Sequence, residues 1–257
     1  MATWDNHDYG SHSGGAEFAL KTDSREVFLS FFSEPKSSLR WKRSGIYDSK
    51  IFGHGARSVQ IILLDTKYNR SPFRVNPASK EVRLKNGKVG KYLADATPEK
   101  TYLGTEQWEW LETELKKPAT VRLICSSTQI IPNEKGMDEW GNFPLERQRL
   151  FDLINNTNAN GVIILSGNVH YTEISKMTEG VRYPIYEFTS SGMTHTNSLY
   201  AGASNAYRIA GPSVDLNFGL VTVDWQSMSV ELEAMNERAE RLFMKRLSIS
   251  SLSGPCN

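Results

Sequence analysis

The chain has 257 residues, a length typical of one large domain or two small ones. Lysine and arginine total 30 against 29 aspartates and glutamates, so the net charge of +1 gives no electrostatic reason to expect a nucleic-acid-binding surface. The longest apolar runs, such as Ile61–Leu64, are far too short to span a bilayer, and two cysteines are too few for a disulfide framework.

Apolar runs that are rich in β-branched residues and bounded by polar turns predict strands along the chain. In order, they are Val59–Leu64, Val121–Cys125, Val162–Leu165, Tyr183–Phe188, Leu220–Trp225 and Ser229–Ala234. Three helices are also predicted: one capped by Ser24 and ending at Phe32, one over Glu106–Leu115 capped by Thr105, and one from Pro144 to Ile154. The alternation of strand and helix predicts an α/β layered core.

The last part of the chain fits two interpretations. A strand over Leu242–Ile249 would form a closing hairpin with Met228–Ala234, turning at Asn236. The segment Glu237–Arg246 fits a charged amphipathic helix equally well.

Two connections, Tyr68–Tyr102 and Thr128–Asn142, are longer than those usual in compact domains. Long loops on an α/β scaffold commonly carry binding residues. Both are therefore expected to border a substrate pocket.

Four consecutive polar residues near the amino terminus, Asp5-Asn6-His7-Asp8, follow what the pattern predicts to be the end of a strand. Their carboxylate, carboxamide and imidazole groups are ligand types for divalent metal ions. The same residues are typical of a polar turn in which Asp side chains cap main-chain N–H groups. Taken alone, the cluster leaves both interpretations open.

A second cluster follows the predicted strand Val162–Leu165, where Asn168 and His170 stand two positions apart. Residues i and i+2 of an extended segment share one face, so both side chains are expected to point the same way. The carboxyl ends of strands are where α/β folds assemble sites. Two ligand-rich strand ends, each with a histidine, indicate a metal-dependent hydrolase, in which ions activate water and neutralise phosphoryl oxygens.

Five segments in chain order resemble the motifs of one family. Residues 2–10 resemble the Trp-Asp-Asp-His-Asp signature of the alkaline phosphatase D (PhoD-like) family of calcineurin-like metallophosphoesterases. Leu63–Tyr68 resembles its Leu-Asp-Thr-Arg element, Leu103–Leu111 its Leu-Gly-x-x-Gln-x-x-Trp-Leu helix, Trp140–Arg147 its Trp-x-x-Phe-Pro-x-Glu-Arg element and Leu165–His170 its Leu-Ser-Gly-Asp-Val-His motif. Five ordered matches over nearly the whole chain make chance similarity improbable.

The resemblance implies an α/β fold of the metallophosphoesterase type, a layered sandwich of two mixed sheets flanked by helices. It places residues 1–257 as the carboxy-terminal portion of a single such domain, because the family's earlier motifs lie before the position of Trp4. One of them is a Gly-Asp-x-x-Tyr-type element with the metal-bridging carboxylate. An N-terminally truncated domain is therefore expected, with an unpaired sheet edge and a tendency to aggregate.

The resemblance also implies roles for individual residues. The catalytic position is His7, whose protonated imidazole would stabilise charge or protonate the leaving oxygen. The metal-ligand positions are Asp5, Asn6, Asn168 and His170, and the substrate-binding positions are Asp8, Lys67, Arg147 and His195. Other interpretations stay open: Asp5 and Asp8 as caps or as partners that orient His7, Arg147 as a structural ion-pair residue, and His195 as part of a surface turn.

Three positions depart from the family pattern. Asn6 and Asn168 stand where the family usually has Asp, and the second change removes a negative charge, which is expected to weaken cation affinity. Lys67 stands where the family usually has Arg and cannot form the bidentate fork.

The function implied by the resemblance is hydrolysis of phosphate mono- or diesters by a metal-activated water. It implies two or more divalent or trivalent ions, with Ca, Fe, Zn, Mn and Mg all open. The alternative is a truncated, catalytically impaired scaffold or binding protein derived from the family, with little phosphatase activity. The expected ligand is a phosphate ester, and no nucleic acid or membrane span is expected. The compartment and the oligomeric state stay open, and a secreted location is expected only for a form that carries an export signal.

Overall fold

The computed structural model describes residues 1–254 of the chain. Its strands are β1 (Asp48–His54), β2 (Arg57–Leu63), β3 (Arg74–Val75), β4 (Tyr92–Leu93), β5 (Val121–Ser126), β6 (Val162–Ser166), β7 (Thr172–Met177), β8 (Ile185–Ser190), β9 (Arg208–Ser213), β10 (Asn217–Asp224), β11 (Ser229–Asn236) and β12 (Arg241–Ser248). Its helices are α1 (Asn6–Tyr9), α2 (Lys21–Phe31), α3 (Lys80–Lys85), α4 (Thr105–Leu115), α5 (Pro144–Asn156) and α6 (Ser198–Ala201). Short 3₁₀ turns cover Leu39–Trp41, Trp140–Asn142 and Ile249–Leu252.

The larger sheet has seven strands in the order β1-β2-β5-β6-β8-β7-β9. Neighbouring strands among β2, β5, β6 and β8 are parallel, whereas β1, β7 and β9 pair antiparallel with their neighbours. Parallel neighbours need a crossover, and α4 and α5 lie in the connections from β2 to β5 and from β5 to β6. The carboxyl ends of these strands therefore meet at one edge of the sheet.

The two crossover helices bury their apolar faces in the main core. Trp108, Leu111 and Leu115 of α4 are buried, as are Leu150 and Phe151 of α5. Spacings of three and four residues place the side chains of α4 on one helix face. Strands β5 and β6 are mostly buried on both faces, which is why they consist of continuous apolar runs.

A second layer is the antiparallel three-stranded sheet β10-β11-β12. Val230, Leu232 and Ala234 of β11 alternate along the strand and are buried in the same core as the larger sheet. Within residues 1–254, β10 pairs along its length only with β11, and a single bridge joins its first residue, Asn217, to Gly192. The far edge of β10 is otherwise unpaired in this part of the chain.

Most of the predicted elements are confirmed. The six predicted strands are present, and the α/β layered sandwich is confirmed. Only the larger of the two sandwich sheets is mixed, because the sheet β10-β11-β12 is entirely antiparallel. The closing hairpin is β11 with β12, so the helix over Glu237–Arg246 is wrong. The helix attributed to a Ser24 cap begins at Lys21, which places Ser24 inside α2. The strand predicted to end before Asp5 is absent from the described chain. Residues 1–5 have no regular secondary structure and lead directly into the single turn α1.

The long connection Tyr68–Tyr102 is ordered by short elements of its own, the hairpin of β3 with β4 and the helix α3. None of the helices between residues 1 and 254 is both long and apolar enough to cross a membrane.

Candidate functional site

A polar pocket of about 260 Å³ opens where five segments of the chain meet. These segments are α1 with the turn after it, residues 83–92 of the first long connection, residues 137–138 of the second, the loop between β6 and β7, and α6. The lining residues are Asn6, His7, His12, Ser13, Arg83, Val89, Gly90, Lys91, Tyr92, Met137, Asp138, Asn168, His170 and Tyr200. The prediction that both long connections border a pocket is confirmed.

The turn α1 presents Asn6 and His7 to this pocket. Asn6 is buried, and its side-chain Oδ1 accepts a hydrogen bond from the main-chain N–H of His7 at 2.9 Å. Its Nδ2 lies 3.4 Å from Nδ1 of His12. The exposed rings of His7 and His12 have centroids 5.9 Å apart. Two imidazoles and one carboxamide therefore share this wall of the pocket.

Asp8 does not line the polar pocket. Its Oδ2 accepts a hydrogen bond from the main-chain N–H of Asp5 at 3.2 Å, which closes the start of α1. Asp8 also borders a separate surface groove together with apolar residues such as Val27 and Phe31. The structure therefore shows the turn-capping contact of Asp8 and places this residue outside the polar pocket, and its binding of substrate stays a prediction.

Asn168 and His170 both line the pocket, but not by the expected geometry. Their φ angles are 71° and 59°, so both residues lie in the left-handed region rather than in an extended strand. Non-glycine residues seldom adopt this conformation, and it commonly marks functional loops. Asn168 Nδ2 donates a hydrogen bond to the main-chain carbonyl oxygen of Asp138 at 3.2 Å. The loop is therefore bent sharply and still brings both side chains to one pocket.

His170 contacts His195 edge to face, with ring centroids 4.1 Å apart. Partial burial lowers the pKa of His170, and the neighbouring His195 lowers it further. A neutral imidazole at His170 can accept a proton or bind a ligand through nitrogen. His195 is exposed and lines a second, open groove of about 470 Å³, which His170 shares. The structure therefore places His195 beside the site, at the border of a neighbouring groove.

Lys67 is fully buried rather than open to a substrate. Its Nζ lies 3.0 Å from Oδ1 of Asp5 and 2.9 Å from Oδ2 of Asp138. The ammonium group is enclosed and paired with two carboxylates, so the structure places Lys67 behind the pocket lining, and its substrate contact stays a prediction.

Arg147 is also buried away from the pocket. Its guanidinium group donates hydrogen bonds of 2.7 Å to the main-chain carbonyl oxygens of Ile130 and Ile131. The structure gives Arg147 carbonyl groups as partners rather than the acid of an ion pair, and its binding of substrate stays a prediction. Its role is to hold the second long connection against α5.

Sequence reasoning missed several pocket residues. His12, Arg83 and Lys91 add one imidazole and two cationic groups to the lining. The density of lysine and arginine between residues 80 and 91 was the available signal for Arg83 and Lys91. For His12, the available signal was Gly10, which stands between His7 and His12 in the sequence. In the structure, Gly10 takes a φ of 97° and reverses the chain, which brings the two histidines together.

The donor set does not by itself fit a metal ion. Within residues 1–254, no group of three or more His, Cys, Asp or Glu side chains is arranged to hold one. Asn6, Asn168 and His170 offer only neutral donors at the pocket wall. The nearby carboxylates of Asp5 and Asp138 are already paired with Lys67. Hard divalent cations prefer ionised carboxylate oxygens, so metal binding by the predicted ligands stays a prediction.

Comparisons with known proteins agree with the motifs. The model of the PhoD-like phosphatase family matches residues 33–233. Alkaline phosphatase D of Bacillus subtilis (strain 168) is 30% identical over 90 residues, which cover 31% of this chain and 15% of that protein. The solved structure of PhoD shares the fold, with a TM-score of 0.65 and 19% identity over 96% of this chain.

The chain spans 51% of the PhoD structure that it resembles. The family model nevertheless covers most of the chain, including the helices α4 and α5 and the loop that carries Asn168 and His170. The chain therefore belongs to the PhoD-like phosphatase family.

Proposed function

We propose that the pocket around His7 binds the phosphoryl group of a phosphate ester and that the chain acts in its hydrolysis. The observation that carries this proposal is the composition of the pocket, which gathers three imidazoles with the cationic side chains of Arg83 and Lys91. Guanidinium and ammonium groups attract phosphate oxygens, and carboxamide N–H groups can donate to them. Membership of the PhoD-like family supports the same reaction class.

The residues can be given distinct tasks in this proposal. Arg83 and Lys91 would attract the dianion, while Asn6 and Asn168 would orient its oxygens. The exposed imidazole of His7, when protonated, can donate a proton to the leaving oxygen of the ester. No step is assigned to a metal, because the described residues do not by themselves fit one. Metal activation of water, the identity of the ion and the choice between mono- and diesters stay predictions.

A second candidate is a scaffold that binds phosphate esters without turnover. The observation that favours it is the pairing of Asp5 and Asp138 with Lys67, which leaves the pocket without a free carboxylate to act as base or ligand. Both candidates require the pocket to bind a phosphate group, and they differ only in whether hydrolysis follows.

The two candidates are separated by measuring binding and turnover on the same purified chain. Titration calorimetry with inorganic phosphate and with vanadate measures binding, and release of p-nitrophenol from the mono- and bis-esters, with and without chelator, measures turnover. The matched variants are His7→Ala, and His54→Ala at an exposed histidine of β1 outside the pocket. The enzyme proposal expects turnover that His7→Ala lowers at least tenfold and His54→Ala leaves unchanged. Binding without turnover would support the scaffold, and the absence of both would contradict each candidate.

A further inference from the structure

The ammonium group of Lys67 lies behind the polar pocket. It contacts Asp138, which lines the pocket, and Asp5, the residue before the lining residue Asn6. Lys67 follows β2 and is fully buried, with its Nζ 3.0 Å from Asp5 and 2.9 Å from Asp138. The ammonium group is therefore held between the two carboxylates, one on each side.

Each of the two acids controls a different part of the pocket. Asp5 immediately precedes α1, and its carbonyl oxygen accepts the main-chain N–H of Tyr9 at 2.9 Å, so it sets the turn that carries Asn6 and His7. The carbonyl oxygen of Asp138 accepts the hydrogen bond from Asn168. One ammonium group thus links the α1 wall to the loop that carries Asn168.

Lys67 is itself held in place by a buried acid. Oδ1 of Asp65 accepts hydrogen bonds from the main-chain N–H of Lys67 and from Nε1 of Trp4, both at 2.9 Å. Trp4 is the residue before Asp5, so the amino-terminal segment and the end of β2 are fixed to the same carboxylate. A buried network of this kind, in which the charged groups are paired, favours one arrangement of its segments.

We propose that Lys67 is a positioning residue that sets the separation of the two pocket walls, with His7 on one wall and Asn168 on the other. The inference rests on the proposed function only for the nature of the ligand, since the geometry of the pocket is independent of what it binds. It differs from the substrate contact expected from the sequence, because Lys67 acts through Asp5 and Asp138 and touches no part of the cavity.

The test compares Lys67→Met with the charge-preserving Lys67→Arg, and with Lys50→Met, an exposed lysine of β1, as the matched control. One readout is amide hydrogen exchange at Tyr9 and Trp140, whose N–H groups donate to the carbonyl oxygens of Asp5 and Gln129. The reference amides are those of residues 112–115 in the last turn of α4. The earlier turns are left out, because Gln107 bonds to Asp65 and Trp108 contacts Trp140. The second readout is the affinity for inorganic phosphate.

The proposal expects Lys67→Met to speed exchange at Tyr9 and Trp140 at least tenfold relative to α4 and to weaken phosphate binding at least tenfold. Lys67→Arg should bring both quantities back to within about threefold of the starting chain, because it keeps the positive charge. If Lys67 had only a general structural role, Lys67→Met would instead speed amide exchange in α4 by the same factor as at Tyr9 and Trp140. Uniform exchange, or no change at either wall, overturns the proposal.

Two further outcomes are separable. If Lys67→Met gives no folded protein, the double variant Lys67→Met with Asp138→Asn takes its place, because it removes the ammonium group together with one of its two acids. The same readout applies to it, the exchange rates at Tyr9 and Trp140 relative to those in α4. If the starting chain binds no phosphate, the proposed function fails, while the exchange ratios still decide whether Lys67 positions the walls.

Discussion

Trp108 of α4 donates a hydrogen bond from Nε1 to Oε2 of Glu146 in α5, at 2.9 Å. The same oxygen accepts from Oγ1 of Thr101 at 2.7 Å and from the main-chain N–H of Tyr102 at 2.6 Å. Two of the motifs that carry the family resemblance, around Trp108 and around Glu146, therefore meet at one buried carboxylate. This cluster joins both crossover helices to the end of the long connection that borders the pocket.

Glu146→Ala should lower the free energy of unfolding by about 3 kcal/mol, because it leaves three donors without their acceptor in a buried position. Glu146→Gln should cost about 1 kcal/mol, since its carbonyl oxygen can replace Oε2. Urea unfolding followed by tryptophan fluorescence measures both changes. Glu112→Ala, at an exposed pair with Lys116, is the control and should change stability by less than about 0.5 kcal/mol. Equal effects at Glu146 and Glu112 would contradict the role of the cluster.

Glu139 should make stability fall between weakly acidic and weakly alkaline pH. Burial raises the pKa of its carboxyl group from 4.5 to about 7, and its Oε2 has no hydrogen-bond partner in the described chain. The folded state thus holds a proton that the unfolded chain has already released. The stability that this protonated group contributes is complete below pH 4.5 and is lost as the pH rises through about 7.

Glu139→Gln carries no charge at any pH and should remove this dependence. Above pH 7, the variant should be more stable than the starting chain by about 3 kcal/mol, and at pH 4 the two should differ little. Urea unfolding across this pH range measures the difference, with Glu99→Gln at an exposed position as the control. Parallel stability curves for the starting chain and Glu139→Gln would refute the assignment.

The strands were predictable because their pattern depends on local sequence. Strands β5 and β6 are buried on both faces, so nearly every side chain in Val121–Cys125 and Val162–Leu165 is apolar. The two long connections were recognisable by length alone, and both border the pocket. For the closing hairpin, sequence pattern left a helix equally open, and the pairing of β12 with β11 decided the outcome.

The environment of single side chains was not predictable in the same way. Lys67 is buried because Asp138, 71 positions away in the sequence, folds back onto it. The left-handed backbone at Asn168 and His170 could not be inferred either, since neither residue is a glycine and the preceding strand suggested an extended continuation. Motif spacing placed these residues at the site, whereas their contacts depend on distant segments.

Asn168→Asp tests the predicted metal position directly. The replacement cannot donate to the carbonyl oxygen of Asp138, and it places a carboxylate against that oxygen. Without added metal, the variant should lose about 1–2 kcal/mol of unfolding free energy. The new carboxylate should also bind Mn²⁺. Added Mn²⁺ should therefore raise the Tm of the variant more than the Tm of the starting chain.

The matched control for this measurement is Asn156→Asp, at an exposed position near the end of α5. His170→Ala introduced into the Asn168→Asp chain should abolish the response to Mn²⁺, because both side chains line the same pocket. An equal response in Asn168→Asp and Asn156→Asp would show that Asn168 is not beside an ion site.

The edge of β10 should drive self-association of the chain. Along this strand, Phe218 and Leu220 are 36% and 44% exposed, and within residues 1–254 the ladder partner is β11 alone. An unpaired apolar edge is a template for pairing with another strand, and lysine on such an edge opposes this pairing. Leu220→Lys should therefore raise the dissociation constant for self-association at least tenfold in sedimentation velocity runs over a concentration series. The control is Val27→Lys in α2, which removes a more exposed apolar side chain from a helix and leaves the β10 edge intact. If Val27→Lys reduces association as strongly as Leu220→Lys, general surface hydrophobicity rather than the strand edge causes it, and the prediction fails.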